Sequence, residues 1–151
     1  MSGINDASMT GAKMINILLV EDNPADVLLT AEALRESRVS HDLNVVNNGS
    51  DALAYVKRQE KYGDAVRPEI ILLDINLPKK NGFEVLAEIK QDPDLKHIPV
   101  IILTTSSSKQ DIRKAYDLYA NCYIVKPIEL DDFFKIINYI GDFWFTVARL
   151  P

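Results

Sequence analysis

The chain has 151 residues, enough for one ordinary domain, and at 47% apolar and 26% charged it has the make-up of a globular protein with a real core. A net charge of −5, with scattered basic residues and no basic arm, argues against an extended nucleic-acid surface. The one cysteine, Cys122, excludes an internal disulfide and fits a reducing cytosol, and no apolar run is long enough to span a membrane.

Residues 1–13 are small and polar and read as a flexible tail; residues 14–151 read as a single domain. The first strand is "INILLV", Ile15–Val20, and it runs straight into Glu21 and Asp22. Asn23 can cap a helix and Pro24 suits its first turn. That helix carries Val27, Leu28, Ala31 and Leu34. A weaker strand, "LNVVNN", covers residues 43–48. The second helix is expected over about residues 50–62, with Leu53 and Val56 facing inward. The stretch "QEKYGDAVRP" then reads as an extended helix end plus a loop. "EIILLDI", residues 69–75, is the third strand, and "KKNG" signals a turn before a helix with Phe83, Val85, Leu86 and Ile89. "VIILTT", residues 100–105, is the fourth strand, and Ser108 and Asp111 have capping-box spacing. "CYIVKP", residues 122–127, is the fifth. A last helix starts near Glu129 and continues into an apolar extension, about residues 141–151. Phe133, Ile136, Ile137, Ile140, Phe143, Trp144 and Val147 share one helical face, while Phe134 and Phe145 fall on another.

Five short, branched-rich strands alternating with helices predict a three-layer, doubly wound α/β fold. For five such units the sheet order is 2-1-3-4-5, and ligands bind beyond the carboxyl ends of the strands where that order reverses. Glu21 and Asp22 end strand one and Asp74 ends strand three, so three carboxylates meet at one sheet edge. Thr104 and Lys126 arrive there from strands four and five. Each residue alone reads as a cap, a solvated loop residue or a strand residue. Together they have a chemical logic. Converging carboxylates repel unless a cation sits among them, and Mg²⁺ takes oxygen ligands of this kind. Asp74 can then attack phosphorus, with Lys126 and Thr104 neutralising the phosphoryl oxygens.

"EDN" at 21–23, "LLDINLPKKNG" at 72–82, "ILTT" at 102–105 and "YIVKP" at 123–127 together resemble the receiver domains of two-component response regulators, of the chemotaxis Y-like, flavodoxin-like type. The resemblance implies a phosphoacceptor signalling protein rather than an enzyme, cytoplasmic, with Asp74 as the acceptor. It implies Mg²⁺ or Mn²⁺ held by Asp22 directly, by Glu21 mostly through water, by Asp74 and by the backbone carbonyl of Asn76. It further implies a switch pair, Thr104 and Tyr123, a phosphoryl contact from Lys126 and a cis bond before Pro127. The partner would be a sensor histidine kinase, and the "QEKYGDAVRPEIILLDINLP" passage narrows the likeness to regulators of phytochrome-type kinases. Kinase docking would fall on Ala25, Leu28, Pro127 and Ile128. Leu77, Thr105 and Ile128 depart from the commonest family pattern, which bears on phosphoryl lifetime. The chain leaves no room for a DNA-binding module after the last helix. A homodimer through Phe134, Phe143, Trp144 and Phe145 is the expected use of the surplus aromatics.

Three rival classes are weighed. A flavin carrier needs a Ser/Thr/Gly-rich phosphate loop after strand one, and "EDNPAD" is its electrostatic opposite. An aspartyl phosphatase usually carries a second acid two residues after the nucleophile, where Asn76 stands. The third is a receiver-like binding module that works without phosphorylation.

Overall fold

The computed structural model describes residues 14–37, 40–132 and 135–136. Strands β1 (Ile15–Val20), β2 (His41–Val46), β3 (Ile70–Leu73), β4 (Val100–Thr104) and β5 (Cys122–Val125) form one parallel sheet in the order β2-β1-β3-β4-β5. Helices α1 (Pro24–Glu36), α2 (Gly49–Lys57), α3 (Gly82–Gln91) and α4 (Lys109–Asp117) join them, and residues 130–132 and 135–136 are helical after β5. The order and the three layers agree with the sequence expectation.

Strands buried on both faces explain the unbroken apolar runs. On one face Leu18, Val20, Ile71 and Leu73 pack against Leu53, Val56, Leu86, Ile89 and Ala115 from α2, α3 and α4. On the other, Ile17, Leu19, Ile70 and Leu72 pack against Leu34 of α1 and Ile136. Lys90 joins the end of α3 to the next turn and to the approach to β5. Its ammonium donates to the carbonyls of Lys96 (3.1 Å) and Ile98 (2.8 Å) and to Asn121 Oδ1 (3.1 Å). Burial pushes that ammonium below the ordinary lysine range.

Several details differ from the sequence expectation, among them the second strand, which covers His41–Val46 and not residues 43–48, and the fifth, which ends at Val125. The second helix stops at Lys57, not near residue 62. Arg58 turns left-handed at φ 57°, its N–H and that of Gln59 close on Tyr55 and Ala54, and Glu60–Tyr62 form a separate 3-10 turn. The third strand is shorter, because beyond Leu73 the chain turns and the carbonyl of Ile75 accepts from the N–H of Gly82 (2.7 Å). On α1 the buried face runs through Val27, Thr30 and Leu34; of the two places the sequence leaves open for Leu28, core or exposed rim, the structure shows the exposed one, at 68%. Ser108 does cap α4 by accepting from the N–H of Asp111, but the Asp111 carboxylate accepts from Ser106 Oγ (2.6 Å) instead of closing a box; the reciprocal box is Asn81 with Glu84, at the start of α3. The tail 1–13, the extension 141–151, and Phe133, Phe134, Ile137, Ile140, Phe143, Trp144, Phe145 and Val147 lie outside the described residues.

Gly82 sets how closely α3 approaches the end of β3. A Cβ there would overlap the carbonyl of Asp74 and lie 2.7 Å from Ile75 Cα, both backbone atoms that cannot swing away. Gly82→Ala is expected to destabilise the domain by about 1–3 kcal/mol through overpacking. Chemical denaturation measures this; an unchanged midpoint would mean the two backbones are not in contact.

Candidate functional site

The site follows from the register of β1 against β3. Val20 lies opposite Leu73, so the next residue on each strand, Glu21 and Asp74, emerge side by side. The ladder continues one step past the strands: Asp74 N–H donates to the Val20 carbonyl (3.1 Å), and Glu21 N–H to that of Val46 (3.0 Å). Both side chains are therefore held in place by sheet backbone. Glu21 and Asp74 are buried, whereas Asp22 is exposed. Ligand-capable oxygens of Glu21, Asp22 and Asp74 all lie within 4.8 Å of one another.

Lys126 comes from the other side of the switch point. Its N–H donates to the Thr104 carbonyl (2.7 Å), which extends the β4–β5 pairing by one residue and turns the side chain toward β3. The ammonium donates to Glu21 Oε1, to Asp26 Oδ2 (3.0 Å) and to Asp74 Oδ2 (3.0 Å). The Lys126–Pro127 bond is cis. Two backbone N–H groups add to the anionic side: Asn23 donates to Glu21 Oε2 (3.2 Å) and Asn76 to Asp74 Oδ1 (3.3 Å).

Asp26 is a member of this cluster that the sequence reading missed. It sits in the first turn of α1, four residues after Asp22 in "EDNPAD", and that spacing was the available signal.

Three carboxylates, Glu21, Asp26 and Asp74, thus share one ammonium, with Asp22 at the rim of the cluster. Burial pushes the Glu21 carboxyl up; the hydrogen bond from Lys126 pulls it back, the Asp74 charge pushes it up again, and the net direction is upward. Burial alone would lower the Lys126 ammonium. The hydrogen bonds to Glu21, Asp26 and Asp74 outweigh it and hold the group above the ordinary lysine range. A lone Glu–Lys pair would depress the acid. Here the acid rises because burial outweighs the hydrogen bond from the lysine, and the Asp74 carboxylate beside it adds to the rise.

Thr104 ends β4 fully buried, and its hydroxyl oxygen is the buried side-chain atom without a hydrogen-bond partner among the described residues. Tyr123 is half-buried and its hydroxyl donates to the Ser106 carbonyl (2.9 Å) on the loop after Thr104. Burial pushes that phenol up. Asn76 meets Asp74 through its N–H. Ala25, Leu28 and Pro127 are exposed and Ile128 is half-buried, and a cavity of about 280 Å³ opens between α1 and the residues after β5, floored by Leu29, Ala33, Leu103 and Ile128. Among the described residues no helix is long and apolar enough to cross a membrane.

Residues 17–138 match the sequence profile described as the response regulator receiver domain. Response regulator Rcp1 of Synechocystis sp. is 49% identical over 135 residues, which cover 89% of this chain and 92% of Rcp1. The phosphorylated cyanobacterial phytochrome response regulator RcpA superposes with a TM-score of 0.76 at 50% identity, covering 92% of this chain and 99% of that one. The Mn²⁺-bound form of Rcp1 superposes with a TM-score of 0.74 at 48% identity, covering 91% and 99%. The profile match takes in β1 from Ile17 onward, the other four strands and the whole of the carboxylate edge, and from it we conclude that the chain belongs to the response regulator receiver domain family.

Proposed function

We propose that this receiver domain accepts a phosphoryl group on Asp74 from a sensor histidine kinase, in a reaction that needs Mg²⁺ or Mn²⁺, and signals by binding another protein. The observation that carries the reading is the buried Asp74 carboxylate, flanked by Glu21 and Asp22 and bonded to Lys126. Hard oxygen ligands in a cluster of net negative charge fit a divalent cation, and the exposure of Asp22 leaves room for its waters. Asp22, Asp74 and the Asn76 carbonyl would hold the ion directly, with Glu21 acting through water. When bound, it neutralises charge on the phosphoryl oxygens and on the carboxylates around them.

The rest falls to this chain's own groups. An Asp74 oxygen forms the bond to phosphorus as the phosphorus–nitrogen bond of a phosphohistidine breaks, and the imidazole leaves with the electron pair. Lys126 supplies positive charge beside the new anion. The unpartnered Thr104 hydroxyl can donate to a phosphoryl oxygen. Its movement would change the space next to Tyr123, whose bond to Ser106 would then report the state of the site.

Likeness to phytochrome response regulators supports a phytochrome-type kinase as the partner. The exposed Leu28 and the cavity beside Pro127 and Ile128 support docking on that side. The lone free thiol, Cys122, supports a cytoplasmic setting. Homodimerisation through Phe134, Phe143, Trp144 and Phe145 remains part of the proposal. Truncation after residue 140 should then give a monomer by sedimentation that still takes up phosphate.

Incubated with acetyl phosphate and Mg²⁺, the full chain should gain one phosphoryl group by intact mass, and Asp74→Asn should gain none. Equal labelling of the two would remove Asp74 as the acceptor, and no labelling of either would favour a binding module that works without phosphate. Asp22→Ala should weaken Mg²⁺ binding by about tenfold or more, read by titration calorimetry. Lys126→Met leaves the buried carboxylates without their ammonium, so the metal-free protein should lose about 3 kcal/mol of unfolding free energy. Mg²⁺ should restore part of that loss; a variant as stable as the wild type without metal would show that the cluster does not depend on the lysine.

A further inference from the structure

An ammonium has three N–H donors, and at Lys126 three carboxylates use them: Glu21, Asp26 and Asp74. No donor is left for an incoming anion. One of the three must let go before Lys126 can reach a phosphoryl oxygen, and burial decides which. The side chains of Glu21 and Asp74 are 2% and 8% exposed, so in the metal-free, unphosphorylated site either one released would be a charge cut off from water. The Asp26 side chain is 27% exposed. It also stands in the first turn of α1, where the helix end favours a negative charge. Water and the helix can hold Asp26 without the lysine. It lines the cavity between α1 and the residues after β5, so it has open space to turn into.

We infer that Asp26 is a positioning residue that parks the Lys126 ammonium in the unphosphorylated site and releases it to the phosphoryl group. The inference rests on Asp74 being the phosphoacceptor. During loading from acetyl phosphate, an Asp74 oxygen bonds to phosphorus, the phosphorus–oxygen bond of the donor breaks, and acetate leaves with the electron pair. The N–H that turns away from Asp26 meets one of the transferred oxygens. Asp26 therefore competes with the reaction, and its removal speeds loading.

A general charge effect would also favour an anionic donor, so the test separates the two. Loading of the full chain by acetyl phosphate with excess Mg²⁺ is timed by intact mass for wild type, Asp26→Ala, Asp26→Asn and Asp26→Glu, and for Asp26→Ala combined with Lys126→Met. A variant too slow to time is scored by its labelled fraction after a fixed long incubation. Asp26→Ala and Asp26→Asn should load about threefold faster than wild type. The gain should persist at about 1 M salt, where a general field effect is screened. Asp26→Glu should return toward the wild-type rate, and in the Lys126→Met background Asp26→Ala should change nothing. Equal rates for Asp26→Ala and wild type would overturn the inference while leaving the acceptor reading intact. So would a gain that survives the loss of Lys126 or vanishes in salt. A wild-type chain that takes up no phosphoryl group would overturn both.

Discussion

The register between β1 and β3 is the constraint on which the rest of the site depends. With Val20 opposite Leu73, Glu21 and Asp74 leave the sheet as neighbours. Like charges at the 4.8 Å limit of this cluster repel by on the order of 3 kcal/mol at an effective dielectric of 20. A fold will not keep such a pair buried without compensation. Lys126, delivered by the β4–β5 pairing, is one source, and the N–H groups of Asn23 and Asn76 are others. A shift of one residue in the β1–β3 pairing would exchange the two buried faces of β1, so the packing that fixes Leu18 and Val20 on one face and Ile17 and Leu19 on the other also fixes the carboxylates.

The edge of the sheet next to β4 is arranged differently. There the groups are neutral apart from Asp111, and their bonds are few. Thr104 is buried without a partner, and the loop after it is held by Ser106, which gives its carbonyl to Tyr123 and its hydroxyl to Asp111. A single residue thus ties that loop both to β5 and to the first turn of α4. A change at the Thr104 end of the loop reaches helix and strand together, through contacts that neutral hydrogen bonds of about 1 kcal/mol can make and break.

Much of this was legible in the chain because burial on two faces writes itself as unbroken apolar runs. The five strands, their order and the acids that follow Val20 and Leu73 could be read that way. What escaped depends on geometry that a pattern does not carry. Leu28 reads equally as a core residue or as an exposed docking residue; the α1 face is set by the Val27–Leu34 line, a threonine takes the buried place, and Leu28 is exposed. The end of α2 is decided by a left-handed Arg58, a conformation with no warning in "KRQEKY". Asp26 looks like an ordinary first-turn acid until the pairing at Thr104 brings Lys126 over it. The aromatics from Phe133 onward lie outside the described residues.

The parallel sheet has a practical consequence for anyone who handles the protein. Glu21, Asp74, Thr104 and Lys126 all sit at the carboxyl ends of their strands, and β1 enters the sheet from the opposite end at Ile15. Six residues of strand separate the two ends, about 20 Å at the usual rise. A fluorophore, purification handle or surface tether joined ahead of residue 14 would therefore enter on the far side from the carboxylates and leave their rim open to a docking partner.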